Sequence, residues 1–160
     1  MNGPEKLLQI WETDLRIICH SHYDAALVAS RRNYQLGIPT IIISAVVGTA
    51  IFSTLENSPE KYFQIIAGLL SMSAVVLSSL QTFLKWSERA EKHREAGARF
   101  GALLKELENK VAFVEDDSNL ESWSNSFRER WDKISLESPT VPKKLWKRKL
   151  NEEKRRLNEK

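Results

Sequence analysis

Few side chains in this sequence are able to do chemistry. Cys19, His20 and His22 lie close together, and His93 stands far from them. A zinc site needs ligands on one helix face, such as an i, i+4 pair, or a Cys/His cluster of fixed spacing. His20 and His22 are two positions apart and point to different sides of a helix. Cys19 lacks the third, orienting group that turns a thiol into a catalytic nucleophile. No glycine-rich phosphate loop or Walker pattern occurs. The chain therefore reads as a non-enzyme without a metal or other cofactor. His22 and His93 fall on two apolar seams and could face each other. A buried, hydrogen-bonded histidine is the commoner outcome there than a ligand. The C-terminal stretch is basic, but no recognition fold accompanies it, so no nucleic-acid partner is expected.

The elements that must position these residues are helices, and two of them carry no charge. Leu36–Leu55 is an uncharged run of 20 residues, and Tyr62–Leu84 is one of 23. A hydrocarbon core about 30 Å thick is crossed by roughly 20 helical residues. Core helices of a soluble bundle almost always keep a charged face, and neither run has one. Residues 36–55 are thus read as a first membrane span and 62–84 as a second. The loop 56–61 contains Pro59 and is short enough to return the chain antiparallel. The 160 residues leave room for one domain, and the mean hydropathy of −0.38 hides a split, since all of the charged 28% lies outside the spans. A lone cysteine excludes an internal disulfide. Glu5, Glu12, Asp14 and Asp24 occupy the region where a signal peptide would be apolar, so none is expected.

Residues 5–35 read as a cytoplasmic helix. Leu8, Trp11, Leu15, Ile18, His22, Ala25, Ala29 and Arg32 follow 3-4 spacing, a heptad seam that narrows to alanines toward the membrane. Gly37 and Pro39 then interrupt the pattern, giving either a kink at the water–lipid boundary or a new helix beginning near Pro39. After the second span, Phe83, Trp86, Ala90, His93, Gly97, Phe100, Leu104, Leu107, Val111 and Val114 keep the same spacing. One helix from about Tyr62 to Val114, roughly 80 Å long, is expected. Its cytoplasmic part, 85–114, should pair Phe100, Leu104 and Leu107 with Leu15 and Ile18, within or between subunits. Gly97 either admits a bulky neighbour or marks a flexible point. Glu115–Asn119 is a turn-prone break whose Asp and Ser residues suit a cap. A short helix, 120–136, carries the stripe Leu120, Trp123, Phe127, Trp131 and Ile134, and must pack back because a lone helix of that length is marginal in water. The tail 143–160 carries nine Lys/Arg and three Glu around Leu145, Trp146, Leu150 and Leu157. It either lies on anionic lipid or is a solvated charged helix.

Within the spans, small and polar residues are placed regularly. Gly37, Thr40, Ser44 and Gly48 mark the first, with Ser44-xxx-Gly48 a small-xxx-small pair that suits close packing. Gln64, Gly68, Ser71, Ser78 and Thr82 form a stripe on the second, with Val75 filling the remaining position. The stripe either packs against a neighbouring helix or lines a wet path in an oligomer. Serine is common in ordinary helix interfaces, which favours packing. No ionisable residue sits inside either span, which argues against a charge-selective filter or a proton relay.

Leu36-Gly-Ile-Pro-Thr-Ile-Ile-Ile-Ser-Ala-Val-Val-Gly-Thr-Ala50, followed by Leu80-Gln-Thr-Phe-Leu-Lys-Trp-Ser-Glu-Arg-Ala-Glu-Lys-His-Arg-Glu-Ala-Gly97, resembles the SLATT family. Ser138-Pro-Thr-Val-Pro142 and Trp146 extend the likeness, which covers roughly residues 8 to 150. These are two-transmembrane effector domains associated with SMODS nucleotidyltransferases and SLOG sensors. The resemblance implies an all-α membrane protein: a two-transmembrane hairpin continued into a cytoplasmic antiparallel coil, with a short C-terminal amphipathic helix. It implies a bacterial anti-phage effector that oligomerises at the inner membrane, forms a pore or disrupts the bilayer, and arrests or kills the infected cell. A nucleotide second messenger, or an associated CD-NTase or sensor protein, would supply the signal. The family has no catalytic residues to carry over. The alternative is a non-conducting anchor that presents the coil to a partner protein.

Seven Lys/Arg flank the spans on the terminal side (Arg31, Arg32, Lys85, Arg89, Lys92, Arg94 and Arg99), against Lys61 in the loop. The positive-inside rule then places both termini in the cytoplasm. A cysteine replacing Asn57, in a Cys19-free background, should react with an impermeant thiol reagent applied outside intact cells. Reaction only after lysis would refute this topology.

Overall fold

The computed structural model describes residues 3–54, 61–112 and 119–159, and all regular structure among them is helical. The helices are α1 (Gly3–Thr54), α2 (Lys61–Leu84), α3 (Trp86–Ala112), α4 (Leu120–Glu137) and α5 (Lys143–Asn158). The expected loop 56–61 lies outside the described residues except for Lys61, as do Leu55, Val114 and Glu115–Ser118 of the acidic break. The chain divides into two compact units. One comprises Met1–Leu27 with Ala90–Lys160, and the other Val28–Arg89.

The first unit is a helical bundle with its own core. Its core joins Leu8, Leu15 and Cys19 of α1 to Ala96, Phe100, Leu103, Leu104 and Leu107 of α3 and Phe127 of α4. Leu15, Leu107 and Phe127 are fully buried, while Ile18 packs against the core from its edge. Phe127 is stacked between Trp123, at 4.9 Å, and Trp11, at 5.8 Å, and Trp131 meets Trp11 edge-on at 6.1 Å. These rings hold α4 onto α1. Gly97 admits a bulky neighbour: a Cβ there would lie 3.3 Å from the Tyr23 ring. The N-cap of α4 is Asn119, whose side chain makes no capping hydrogen bond. The Asp and Ser residues of the break expected to cap α4 lie outside the described residues.

His22 and His93 are both buried, and their Nδ1 atoms lie 3.2 Å apart. One nitrogen must donate and the other accept, so the two neutral rings hold different tautomers. Burial, reinforced by the neighbouring His93, lowers the His22 pKa to about 4, and burial alone lowers that of His93.

The second unit contains the apolar helices. Proline does not end α1, which runs through Pro39 unbroken, so no new helix begins there. Pro39 leaves the Gln35 carbonyl without its amide donor. In the same turn the Thr40 hydroxyl donates to the Leu36 carbonyl at 2.7 Å, a bond local to the helix. The single helix expected from Tyr62 to Val114 is not formed. Lys85, at φ 47°, separates α2 from α3. The helical hydrogen bonds resume at once on either side, from Lys85 N–H to the Gln81 carbonyl and from Arg89 N–H to the Lys85 carbonyl. Heptad spacing cannot reveal one left-handed residue, because that residue leaves the side-chain types around it unchanged.

Leu104 and Leu107 are buried inside the chain's own core. Leu107→Ala should lower unfolding stability by about 2–5 kcal/mol. Leu136, 88% exposed on α4, should tolerate alanine within about 0.5 kcal/mol. Thermal melts in detergent followed by far-UV circular dichroism compare the two; equal melts would refute the core assignment. The histidine pair predicts a pH dependence as well. The unfolded chain binds protons below about pH 6.5 that the folded pair refuses. Stability should be full above that pH and fall on the order of 3 kcal/mol toward pH 4. His22→Leu with His93→Leu should flatten the part of the pH–stability curve between pH 6.5 and 5.

Candidate functional site

The functional surface of a membrane protein without a cofactor cluster is the face it turns to lipid or to another copy. No residue of α2 is buried. Ile41, Leu69, Met72 and Val75 are each more than 60% exposed. Apolar side chains at that exposure, on helices long enough to cross a bilayer, require a non-aqueous surrounding. Hydroxyls on these helices bond locally. Ser73, Ser79 and Thr82 donate to the carbonyls of Leu69, Val75 and Ser78, one turn earlier.

Within the second unit the half-buried residues trace the inner faces of the hairpin. They include Asn33, Leu36, Gly37, Thr40, Ile43, Gly48 and Ala50 with buried Val47 on α1, and Ala67, Leu70, Ser71, Ala74, Leu77, Gln81 and Leu84 on α2. Gly37 has a definite use: the Gln81 amide nitrogen lies 3.1 Å from where a Cβ would stand. The α2 seam repeats every three or four residues and has alanine at positions 67 and 74. That signal is present in the sequence, but the polar stripe beside it is more conspicuous.

The polar stripe lies off this seam. Gln64, Gly68, Val75, Ser78 and Thr82 are exposed, and only Ser71, at the seam's margin, is half-buried. A Cβ added to Gly68 would meet nothing within 4 Å, and the same holds for Gly48. Ser44 and Pro39 are exposed. Neither the stripe nor the Ser44-xxx-Gly48 pair packs the hairpin together. The coil residues Leu15, Ile18, Phe100, Leu104 and Leu107 lie in the core of the first unit and are distinct from this surface.

Charged residues bound the apolar helices at one end. The Arg32 guanidinium lies 4.7 Å from the Trp86 ring centre and that of Arg89 5.1 Å away, so two cations lie over the indole. Lys85 pairs with Glu88 at 3.5 Å. Tryptophan and arginine together are the residue types that settle at a membrane–water interface.

In the first unit, ion pairs tie the helices together. Arg16 pairs with Glu108 of α3 at 2.9 Å and lies 3.8 Å from Glu153 of α5. Asp24 accepts from Arg148 at 2.8 Å and pairs with Lys149 at 3.1 Å. Burial raises the Asp24 pKa, but the bonds from Arg148 and Lys149 outweigh it and hold the carboxyl below its ordinary range. Arg130 forms a two-pronged pair with Glu106, at 2.7 and 2.6 Å. Sequence periodicity gave no sign of these partners, which lie up to 124 residues apart. Among the described residues, no three His, Cys, Asp or Glu side chains gather so as to hold a metal ion.

No curated protein and no solved structure gives a match to this chain. A family model does: that of the SMODS and SLOG-associating 2TM effector domain family 4 matches residues 17–135. The matched region starts within α1, takes in both exposed apolar helices and ends in α4. This chain therefore belongs to the SMODS and SLOG-associating two-transmembrane effector domains, family 4, as an all-helical membrane protein associated with nucleotide-signalling defence systems.

Proposed function

We propose that the protein is the membrane-permeabilising arm of such a defence system. Copies of the hairpin assemble in the bacterial inner membrane with both termini cytoplasmic, and the assembly conducts when a nucleotide second messenger is made or sensed. A CD-NTase or sensor protein delivers that signal, directly or through the ligand it makes. The observation that carries this reading is the outward position of Gln64, Gly68, Ser78 and Thr82. A polar stripe left unused by the hairpin gains most when a second copy or water replaces lipid against it. Ser44 and Gly48 offer a second close-packing surface for neighbours. The stripe carries no charge, so conduction through it would be weakly selective, with opening by wetting of the neutral constriction at Val75.

Gln64→Leu with Ser78→Leu changes only exposed positions and should abolish dye leakage on expression while preserving membrane insertion. Val75→Ser should increase leakage and growth arrest. Oligomer size in detergent, measured beside leakage, separates conduction from assembly. A leucine variant that assembles normally and leaks like the parent would exclude the stripe as the conducting surface. A parent protein that is inert at every expression level would make the chain an anchor that presents its bundle to a partner.

A further inference from the structure

The first unit leaves one strongly charged face without a partner. Helix α5 docks on the bundle through Leu145, Lys149, Leu150 and Glu153, its less exposed positions. At 3.6 residues per turn, Lys143, Lys144, Lys147, Lys154 and Arg155 occupy an arc of roughly 120° on the opposite side. All five are exposed, and no ion pair reaches them among the described residues. Only Asn151 and Asn158 share the arc; the two glutamates of α5 lie outside it. Glu152 pairs with Lys149 and Glu153 with Arg156. Exposed faces of α3 and α4 are different, with cations and acids neutralised in pairs such as Arg94–Glu91, Arg99–Glu95 and Arg128–Asp132. The arc also runs against the helix dipole. Lys143 and Lys144 stand in the first turn, where no acid is present and anions are favoured.

We propose that this arc is a docking face for the anionic lipid headgroups of the membrane in which the protein is inserted. Charge complementarity selects a polyanion. Tethering by the spans keeps a phospholipid surface at high effective concentration. Single-stranded nucleic acid is the weaker occupant, because its bases need aromatic platforms and the arc has none. The contact is electrostatic and does not insert apolar groups. Leu145 and Leu150 are occupied against the bundle, and Trp146 lies off the arc. Each basic residue near an anionic leaflet favours it by about fivefold, an attraction that salt screens. The face thus makes the disposition of the soluble unit depend on lipid charge.

The test uses the full chain in nanodiscs, with a donor dye on Asn151→Cys in a Cys19→Ala background and an acceptor on the lipid headgroups. Energy transfer should be greater in nanodiscs containing phosphatidylglycerol than in phosphatidylcholine alone at about 50 mM salt, and the difference should vanish near 0.5 M. Replacing all five cations with glutamine should remove the whole anionic-lipid increment, whereas Trp146→Ala should leave it intact. Equal transfer in the two lipids, or an increment that survives salt or the glutamine variant, overturns the proposal. The lipid and salt comparisons need no variant of the arc, so misfolding of the glutamine variant leaves the test decisive. Binding of a labelled oligonucleotide that the glutamine variant loses, without any lipid increment, would assign the face to nucleic acid and also overturn it.

Discussion

A helix whose apolar side chains find no protein to bury them is stable only where water is absent. That constraint governs the second unit. Its two helices send hydroxyls back to carbonyls one turn earlier and keep their half-buried residues to one face each. Everything outside those faces is left to lipid or to further copies. The hairpin is thus an incomplete object by design of its surface: Gly48 and Gly68 open onto empty space, while Gly37 is filled by Gln81.

The first unit obeys the opposite rule. It closes on itself, with Leu15, Leu107, Phe100 and Phe127 out of solvent and ion pairs spanning α1, α3, α4 and α5. Arg99 links Glu95 of its own helix to Glu137 of α4. Exposed pairs of this kind add little stability individually but specify which helix lies beside which. Asp24, clasped by Arg148 and Lys149, does this for α5, whose own sequence has too little apolar surface to choose a neighbour.

The spans, the seam through Leu15, Phe100, Leu104 and Leu107, and the aromatic stripe of α4 were legible in the sequence, because burial and lipid exposure both write themselves as period and composition. Three features were not. The left-handed Lys85 is a property of one dihedral angle, and heptad spacing passes straight over it. The clasp on Asp24 joins residues 124 apart, and any basic residue of the tail would have matched it as well. The position of the polar stripe, outside the hairpin, depended on which face of α2 meets α1. Half-buried Ala67, Leu70, Ala74 and Leu77 mark that face, and polar residues draw the eye first.

The uncharged run of α2, Tyr62–Leu84, is 23 residues long. At 1.5 Å per residue it exceeds a typical hydrocarbon core by about 4.5 Å. Trp86, with Arg32 and Arg89 over its ring, is the residue type that settles at the headgroups at one end of α2. The surplus must then be taken up by tilting α2 or by a local thickening of the bilayer. Hydrophobic mismatch thus bears on a helix of this length, and the thickness of the bilayer around it becomes a mechanical input.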